Sequence, residues 1–420
     1  MAETGSTVRA ETLLAFCTRV FEKMGVARED AHVTADVLVH ADLRGIGSHG
    51  VARLVRYVNG LRDGVMIARP EQKVVVETPT TISLDAGAGL GQPVSHRAMQ
   101  SAIEKARQYG CGFATVRNSN HYGIAGYYAM MALDHDMIGI STTNADLLVV
   151  PTFGRDSLYG TNPISVAIPA GQERPWVLDM ATSTVPRGKL EVYQRAGKPL
   201  PMGWATDERG IPTEDAGRVL DNFTKRAGGG LLPLGGAGEE FSGYKGYGLG
   251  MMVEILSAVL PGAAYLTSVY PRDANGKPLP ADLGHFFGAW RIDAFRPVDE
   301  FKADMDDLIR RLKGGRLAEG ATRIWVHGEK EFEEEGRRMA NGIPLGAKVE
   351  ASLRQIGADL GVEYDLEEEL WLDCTNIRAR SCSRSTKSPC PRAGWRAHRR
   401  RRAPSPRRSA ARRWSRRRLG

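Results

Sequence analysis

The segment Thr81-Ile82-Ser83-Leu84-Asp85-Ala86-Gly87-Ala88-Gly89-Leu90-Gly91-Gln92 combines a β-prone run, a glycine-rich turn and the start of a helical pattern. A strand, a glycine turn and a helix in this order are typical of the Rossmann dinucleotide-binding fold. The fingerprint of that fold requires glycine at the sixth position of the turn, where this chain has Gln92. Residues 246–251 depart from the fingerprint in the same way. We therefore expect an α/β fold of another kind.

Further β-prone runs lie on both sides of this segment and place it in one α/β domain. The runs are residues 74–76, 81–84, 113–116, 138–141 and 164–168. A helical pattern covers residues 93–109, and amphipathic helical spacing recurs before residue 66 and after residue 295. We predict a helical domain at residues 1–75, completed by residues 297–365, and an α/β domain at residues 76–296.

The positive charge of the chain lies in its last residues. From Cys374 to Gly420 there are 16 Arg, one Lys and no acidic residue, whereas the rest of the chain carries 40 basic and 49 acidic residues. An acidic body has no general electrostatic attraction to nucleic acid, so only the tail could bind it. Residues 366–420 also lack apolar periodicity, and we predict that they form a disordered Arg-rich tail. Their abrupt change of composition equally resembles out-of-frame translation past the normal end of a gene.

The rest of the sequence shows no pattern for membrane insertion, secretion or metal binding. No apolar stretch approaches the roughly 18 residues that span a bilayer, and the N-terminus lacks a basic start followed by an apolar block. Only Cys17 and Cys111 precede the tail, and neither a CxxC pair nor an HExxH pattern occurs. We expect a cytoplasmic protein without a disulfide framework, a metal or a membrane contact.

Residues 44–53, Arg-Gly-Ile-Gly-Ser-His-Gly-Val-Ala-Arg, are the first candidate for catalysis. If Ser48 is the N-cap of a helix, then His49, Arg53 and Tyr57 stand four residues apart on one face. This face holds a proton donor, an arginine and the phenol of Tyr57, and a 2-oxo acid needs all three kinds of contact, the arginine for its carboxylate and an acid near its carbonyl oxygen. The alternative is a surface helix that carries scattered polar groups.

The second candidate is residues 117–123, Arg-Asn-Ser-Asn-His-Tyr-Gly, which directly follow a predicted strand. Polar loops at the carboxyl ends of strands often carry catalytic residues in α/β proteins. The imidazole of His121, with an ordinary pKa of about 6.5, is the natural acid–base group at neutral pH. A solvated histidine in a capping loop is the alternative.

Several later loops are rich in glycine, hydroxyl, amide and lysine groups and could hold a cofactor. Backbone N–H groups and lysines in such loops can bind phosphate or ribose. Each segment could equally be an ordinary connecting loop. The candidate residues are Gly160, Thr161, Asn162, Asp179, Met180, Ala181, Thr182, Lys189, Gly235, Gly236 and Lys245.

Taken in order, these segments resemble the type 2 malate/L-lactate dehydrogenase family over residues 8–362. The resemblance rests on Gly47-Ser48-His49-Gly50 with Arg53 and Tyr57, Ser119-Asn120-His121-Tyr122-Gly123, Gly160-Thr161-Asn162-Pro163, Leu178-Asp179-Met180-Ala181-Thr182, Gly203-Trp204-Ala205-Thr206-Asp207, Leu232-Pro233-Leu234-Gly235-Gly236 and Lys245-Gly246-Tyr247-Gly248-Leu249. The family includes dehydrogenases of malate, lactate and sulfolactate as well as reductases of cyclic imino acids. The tail has no counterpart in it.

The resemblance implies a homodimer in which a helical domain lies beside a mostly antiparallel, non-Rossmann sheet domain that binds NAD or NADP. His49 matches the histidine assigned in the family as proton donor, and His121 matches a second histidine proposed for acid–base work. Asp179 to Thr182 and the Gly235-Gly236 pair match segments that contact the cofactor. Gly328 and Glu329 resemble a late loop on the cofactor side, although His327 stands where proline is commoner.

We therefore hypothesise hydride transfer between a nicotinamide and C2 of a small 2-oxo acid or cyclic imino acid. Arg53 would bind the substrate carboxylate, His49 or His121 would supply the proton, and Ser48 would orient it. A different class of function is a nucleic-acid-binding or scaffold protein that acts through the tail and retains an inactive enzyme body. The sequence leaves the substrate and the choice between NAD and NADP open.

Overall fold

Helices and short strands alternate along residues 6–366, the part of the chain that the computed structural model describes. The helices are α1 (Ala10–Lys23), α2 (Arg28–Leu43), α3 (Leu54–Arg62), α4 (Gly91–Tyr109), α5 (Ala125–Met130), α6 (Arg187–Arg195), α7 (Ala216–Lys225), α8 (Gly243–Glu254), α9 (Val298–Lys313), α10 (Glu329–Asn341) and α11 (Ala347–Leu360). The strands are β1 (Thr7–Val8), β2 (Lys73–Glu77), β3 (Thr81–Asp85), β4 (Cys111–Ser119), β5 (Met137–Thr143), β6 (Ile164–Ile168), β7 (Trp176–Met180), β8 (Ala205–Thr206), β9 (Gly230–Leu231), β10 (Leu283–Arg291) and β11 (Ile343–Pro344). The predicted tail lies outside the described residues except for Leu366, which is buried.

Seven strands form the main sheet in the order β2, β3, β4, β10, β5, β6, β7. Within it, β3 and β4 run parallel and every other neighbouring pair is antiparallel. Helix α4 connects the parallel pair because a chain needs a long crossover to enter a second strand from the same edge. The expected mixed α/β fold with a mostly antiparallel sheet is confirmed.

All five β-prone runs lie in strands of this sheet, but the pattern of residues 283–291 does not predict the central strand β10. Buried residues in β10 follow one another without alternation, since Leu283, Gly284 and His285 are all buried, as are Phe287, Gly288 and Ala289. A strand that is covered on both faces loses the period of two that identifies a half-exposed strand. This explains why β10 escapes a search for alternating hydrophobicity.

The glycine-rich turn before α4 packs against the loop that carries His121. The side-chain amide of Asn120 donates hydrogen bonds to the carbonyl oxygens of Ala88 (3.0 Å) and Gly89 (2.9 Å). A Cβ atom on Gly91 would lie 2.2 Å from the carbonyl oxygen of Asn120, so only glycine fits there. These glycines allow close contact between two backbones and thereby fix the loop that carries His121.

Two of the hydrophobic cores include residues of the candidate catalytic segments. The first joins α1, α2 and α3 to α11, and it buries the apolar stripe predicted for α1, including Leu13 and Val20. The second packs α4 and α5 on the sheet around Met99 and Phe287. Residues 6–366 belong to one compact unit, and the boundary predicted near residue 75 remains a prediction.

The helix predicted to begin after Ser48 begins later. Residues 47–50 form turns and bends, Val51–Arg53 form a 3-10 helix, and α3 starts at Leu54. The reason is that the carboxylate of Asp42, not Ser48, accepts the first free N–H group, that of Val51, at 2.7 Å. The prediction that His49, Arg53 and Tyr57 share one helical face is therefore wrong.

Candidate active site

A cavity of about 300 Å³ brings together segments that lie far apart in the sequence. The region before and within α3 contributes to its wall, and so does the loop after β4, which carries His121. The two candidate catalytic segments therefore meet in one place. The lining includes Ser48, His49, Arg53, Arg56, His121, Asn144, Thr161, Arg187 and Tyr270.

His49 and His121 stack on each other in this cavity. Their ring centroids are 5.5 Å apart, and the angle between the ring planes is 18°. The hydroxyl oxygen of Ser48 lies 2.9 Å from Nδ1 of His49 and so fixes the orientation of that ring. Within residues 6–366 no group hydrogen-bonds to Nε2 of His49, which leaves this nitrogen for a ligand.

Tyr57 is fully buried and, together with Gly123, contacts the ring nitrogen of His121 that carries no proton. Its hydroxyl oxygen lies 2.7 Å from Nδ1 of His121, and the N–H group of Gly123 donates to the same nitrogen at 3.3 Å. A backbone N–H can only donate, so Nδ1 carries the lone pair and the neutral ring holds its proton on Nε2. Tyr57 thus positions His121, whereas its spacing from His49 and Arg53 predicts that it contacts the substrate.

Both imidazoles are neutral in the free protein. Burial lowers the pKa of His49 to about 4, and the charges of Arg53 and Arg56 act in the same direction. Burial also lowers the pKa of His121 well below its ordinary value, again with a contribution from both arginines. An anion bound to these arginines would offset their charge and raise the pKa of His49 toward its ordinary value.

The cavity carries a net charge of +1 when its histidines are neutral. The charged residues that line it are Arg53, Arg56 and Arg187 and, with opposite sign, Asp146 and Glu191. Arg53 donates to the carbonyl oxygen of Ser48 (2.7 Å) and Arg56 to the hydroxyl of Tyr270 (3.1 Å). Neither guanidinium forms an ion pair with a carboxylate of the described chain, so both are available to an anionic ligand.

Arg56 is a site residue that the sequence analysis does not identify. With the helix expected from Ser48, Arg53 pairs with Tyr57 at four-residue spacing. Because α3 begins at Leu54, Arg53 and Arg56, which are three residues apart in the sequence, both line the same cavity. The Arg-x-x-Arg spacing is the signal that could have indicated the second guanidinium.

A second cavity, of about 340 Å³, contains three of the predicted cofactor residues: Asp179, Met180 and Gly328. Asp179 lies near the end of β7, and its Oδ2 accepts a hydrogen bond from the N–H of Gly126 at 2.8 Å. Positive, negative and aromatic groups share this cavity, which suits a ligand that combines phosphate, sugar and base. The lining also includes Arg44, Ile46, Val177, Trp325, His327, Lys330 and Glu331.

The same two chain segments line both cavities. Ile46 lines the second cavity and His49 the first, while Gly123 lines the first and Gly126 the second. The cavities are therefore neighbours along both segments.

Other predicted cofactor residues build walls or lie elsewhere. Thr161 lines the first cavity. Asn162 and Thr182 are buried and tie loops together, since Thr182 Oγ1 donates to the carbonyl oxygen of Asn162 (3.2 Å) and the Asn162 amide donates to the Glu254 carboxylate (2.7 Å). The residues that line neither cavity are Gly160, Ala181, Asn162, Thr182, Lys189, Gly235, Gly236, Lys245 and Glu329.

Glu329 and the two lysines differ most from expectation. Glu329 is buried and forms ion pairs with Lys313 (2.7 Å) and Arg323 (3.1 Å), so its carboxylate is held inside the protein. Lys189 and Lys245 are exposed. Glycine and lysine content alone does not show which way a loop faces, so the assignment of these residues to the cofactor stays a prediction.

Neither a membrane span nor a metal site is found in the described part of the chain. None of the helices between residues 6 and 366 is both long and apolar enough to cross a bilayer. Over the same residues, no three or more His, Cys, Asp or Glu side chains are grouped so that they could hold a metal ion.

Comparisons with known proteins agree with this geometry. The family model of malate/L-lactate dehydrogenase matches residues 8–354. The malate dehydrogenase of Pyrococcus abyssi is 47% identical over 353 residues, which are 84% of this chain and 94% of that protein. The L-sulfolactate dehydrogenase of Methanocaldococcus jannaschii is 37% identical over 346 residues, 82% of this chain and 95% of that protein.

A solved structure shows the same similarity in three dimensions. The malate dehydrogenase of Entamoeba histolytica is 36% identical, with a TM-score of 0.81, over 86% of this chain and 100% of that chain. Residues 8–354, which the family model matches, include all the residues that line the two cavities. This chain therefore belongs to the malate/L-lactate dehydrogenase family.

Proposed function

We propose that this protein is a NAD- or NADP-dependent oxidoreductase that interconverts a small 2-oxo acid, or a cyclic imino acid, and its 2-hydroxy or amino counterpart. The observation that carries the proposal is the convergence of His49, His121 and Arg53 on one cavity. Membership of the family makes the chain a dehydrogenase of 2-hydroxy acids. The names of the relatives favour malate and sulfolactate as the first substrates to test.

The arginines would hold the substrate. Arg53 and Arg56 have no carboxylate partner in the described chain, and the excess positive charge of the cavity attracts an acid. A guanidinium binds a carboxylate through two parallel hydrogen bonds, which fixes orientation as well as position. We assign Arg53 to the C1 carboxylate, which directs C2 and its oxygen toward the histidines.

His49 would move the proton, and His121 would orient the oxygen. In the oxidative direction the neutral His49 accepts the proton of the C2 hydroxyl at Nε2, and in the reductive direction protonated His49 returns it. His121 already holds its proton on Nε2, so it can donate a hydrogen bond to the C2 oxygen. It cannot accept a proton there unless it abandons the bonds from Tyr57 and Gly123. A bound nicotinamide supplies or accepts the hydride at C2.

The second cavity fits the nucleotide part of such a cofactor. The Asp179 oxygen that Gly126 does not engage is available to sugar hydroxyls. Lys330 can bind phosphate, and the partly exposed ring of Trp325, one face of which carries the guanidinium of Arg323, can stack on a base. Arg44 is buried and paired with Glu335 (2.9 Å), so it shapes the wall of the cavity. The proposed site is thus a non-Rossmann one, built from β7 and the start of α10.

We further propose a cytoplasmic homodimer, on the strength of the family resemblance. Analytical ultracentrifugation of the full chain tests the dimer, and a single species with the mass of one chain would exclude it. Nucleic-acid binding through the basic tail concerns residues 374–420, which lie outside the described residues, and we do not propose it.

The activity is tested by following the oxidation of NADH and NADPH with pyruvate, oxaloacetate, sulfopyruvate, diketogulonate and piperideine carboxylate. We expect at least one substrate to be reduced. His49→Ala removes the general acid and should lower kcat/KM roughly 10²–10⁴-fold. His121→Ala removes the hydrogen bond to the C2 oxygen and should also lower kcat/KM. His32→Ala, an exposed histidine on α2, is the matched control and should retain activity. Wild-type rates in both active-site variants would remove the proposed mechanism.

A further inference from the structure

One buried carboxylate that the mechanism does not use lies behind the loop that carries Ser48 and His49. Asp42 stands in the last turn of α2 and is only 6% exposed. Its Oδ2 accepts a hydrogen bond from the N–H of Val51 at 2.7 Å, where the 3-10 helix begins. The side chain therefore spans the gap between the end of one helix and the start of the next.

The loop wraps closely around this carboxylate. A Cβ atom on Gly50 would lie 2.0–2.3 Å from three atoms of the Asp42 carboxylate, and one on Gly47 would lie 3.6 Å from its Oδ1. Both glycines thus face Asp42, and the two residues between them, Ser48 and His49, line the cavity. The backbone position of His49 depends on what fills the inside of the loop.

Two different anchors hold the two halves of the connection from α2 to α3. The first half continues the helix end through main-chain bonds: Arg44 N–H donates to His40 (3.1 Å), Gly45 to Asp42 (3.0 Å) and Ile46 to Ala41 (2.8 Å). In the second half, His49 N–H donates to the Ile46 carbonyl (2.9 Å), and two side chains hold the rest: Arg53 Nε donates to the Ser48 carbonyl (2.7 Å), and the Asp42 carboxylate accepts from Val51. Loss of the Asp42 side chain should therefore loosen the loop from its inner side at Val51, leaving only the Arg53 bond at Ser48, and spare Arg44 and Ile46, which line the second cavity.

We propose that Asp42 is a positioning residue that holds the loop at residues 47–51 and, through it, keeps His49 against His121. This role rests on the function proposed above. Arg338 of α10 donates to the carbonyl oxygen of Asp42 and not to its carboxylate, so it does not replace the bond to Val51. A neutral carboxamide can also accept that bond, which makes Asp42→Asn a test of acceptor geometry without charge.

The experiment compares Asp42→Ala and Asp42→Asn with Asp306→Ala. Asp306 is a matched control because it is equally buried, at 5% exposed, and accepts N–H bonds from residues 171–173 (2.9, 2.7 and 3.0 Å). We expect Asp42→Ala to lower kcat about 10²-fold, as a misplaced catalytic group does, with an unchanged Kd for NADH. Asp42→Asn should stay within about tenfold of wild type, and Asp306→Ala should lose stability but not kcat.

A second readout does not need activity. The ring resonances of His49, followed by NMR in the full chain, should shift in Asp42→Ala and stay in place in Asp306→Ala. If the wild type reduces no 2-oxo acid, the proposed function fails while this readout still decides the role of Asp42. Unmoved His49 resonances, or equal loss of kcat in Asp42→Ala and Asp306→Ala, would overturn the inference. If Asp42→Ala does not fold, Asp42→Glu, which displaces the acceptor by one methylene, takes its place with the same expectations.

Discussion

Replacement of Gly126 by alanine tests whether the second cavity binds the cofactor. The new Cβ atom would lie 2.7 Å from Oδ2 of Asp179, the oxygen that the N–H of Gly126 holds at 2.8 Å. The carboxylate must retreat by about 0.7 Å to restore ordinary van der Waals contact. It then loses its bond to the backbone and its place in the cavity.

The size of the effect follows from that one bond. A hydrogen bond to a charged group contributes about 1.5–3 kcal/mol, and each 1.4 kcal/mol corresponds to a tenfold change in Kd. If Asp179 binds the cofactor, we expect the Kd for NADH or NADPH to rise about tenfold or more. The value of kcat at saturating cofactor should change little, because His49 and His121 line the other cavity.

The assay is a titration of cofactor fluorescence in Gly126→Ala, with thermal unfolding recorded in parallel. Gly336→Ala on α10 is the control, since a Cβ there meets nothing within 4 Å. That change should leave the Kd unaltered and raise the free energy of unfolding by roughly 0.5–1 kcal/mol. A wild-type Kd in Gly126→Ala, with or without a loss of stability, would refute the assignment of the second cavity.

Three further predictions concern single groups. Because only neutral imidazole accepts a proton, kcat/KM for 2-hydroxy acid oxidation at saturating cofactor should fall as the pH drops through the pKa of His49, about 4. Burial raises the pKa of Asp42 to about 7 and that of Asp179 to about 6, so the profile is recorded at saturating cofactor in Asp42→Asn. A midpoint near 6.5 in that variant would contradict the burial of the His49 ring. Tyr57→Phe removes the hydroxyl from His121 and should lower kcat about tenfold, since lost orientation weakens catalysis; an unchanged kcat would show that the phenol does not position the ring. Glu329→Gln weakens the ion pair with Lys313 and should lower the melting temperature while the Kd for NADH stays the same. A higher Kd would show that Glu329 contributes to cofactor binding.

Much of the fold was open to prediction because its patterns are local. Helix α1 has a strict apolar stripe that ends at Gly25, where φ is +84°, and five strands have β-branched runs bounded by turns. The near-miss glycine pattern argues against the Rossmann fold but does not reveal its own use. That use, the contact of Gly91 with the backbone of Asn120, joins two segments that only the tertiary structure brings together.

The sequence could predict the candidate site only where the chemistry of a side chain identifies it as a substrate contact. His49, Arg53 and His121 have the side chains that a 2-oxo acid needs, and all three line the first cavity. The roles of Arg56 and Asp42 depend on where α3 begins, so the Arg-x-x-Arg spacing could have indicated Arg56 only with that start in the right place. That start is fixed by the carboxylate of Asp42, and helix-capping statistics for serine point elsewhere.

A double-mutant cycle on kcat/KM for the best 2-oxo acid, with His49→Ala, His121→Ala and the combined variant, tests the shared cavity most directly. Groups that act on one substrate oxygen are strongly coupled, so removal of the second costs far less once the first is gone. We predict that the combined variant is within about tenfold of the weaker single variant. If the fold-losses in kcat/KM of the two single variants multiply in the combined variant, or if either single variant loses no activity, the shared role of the two histidines is contradicted.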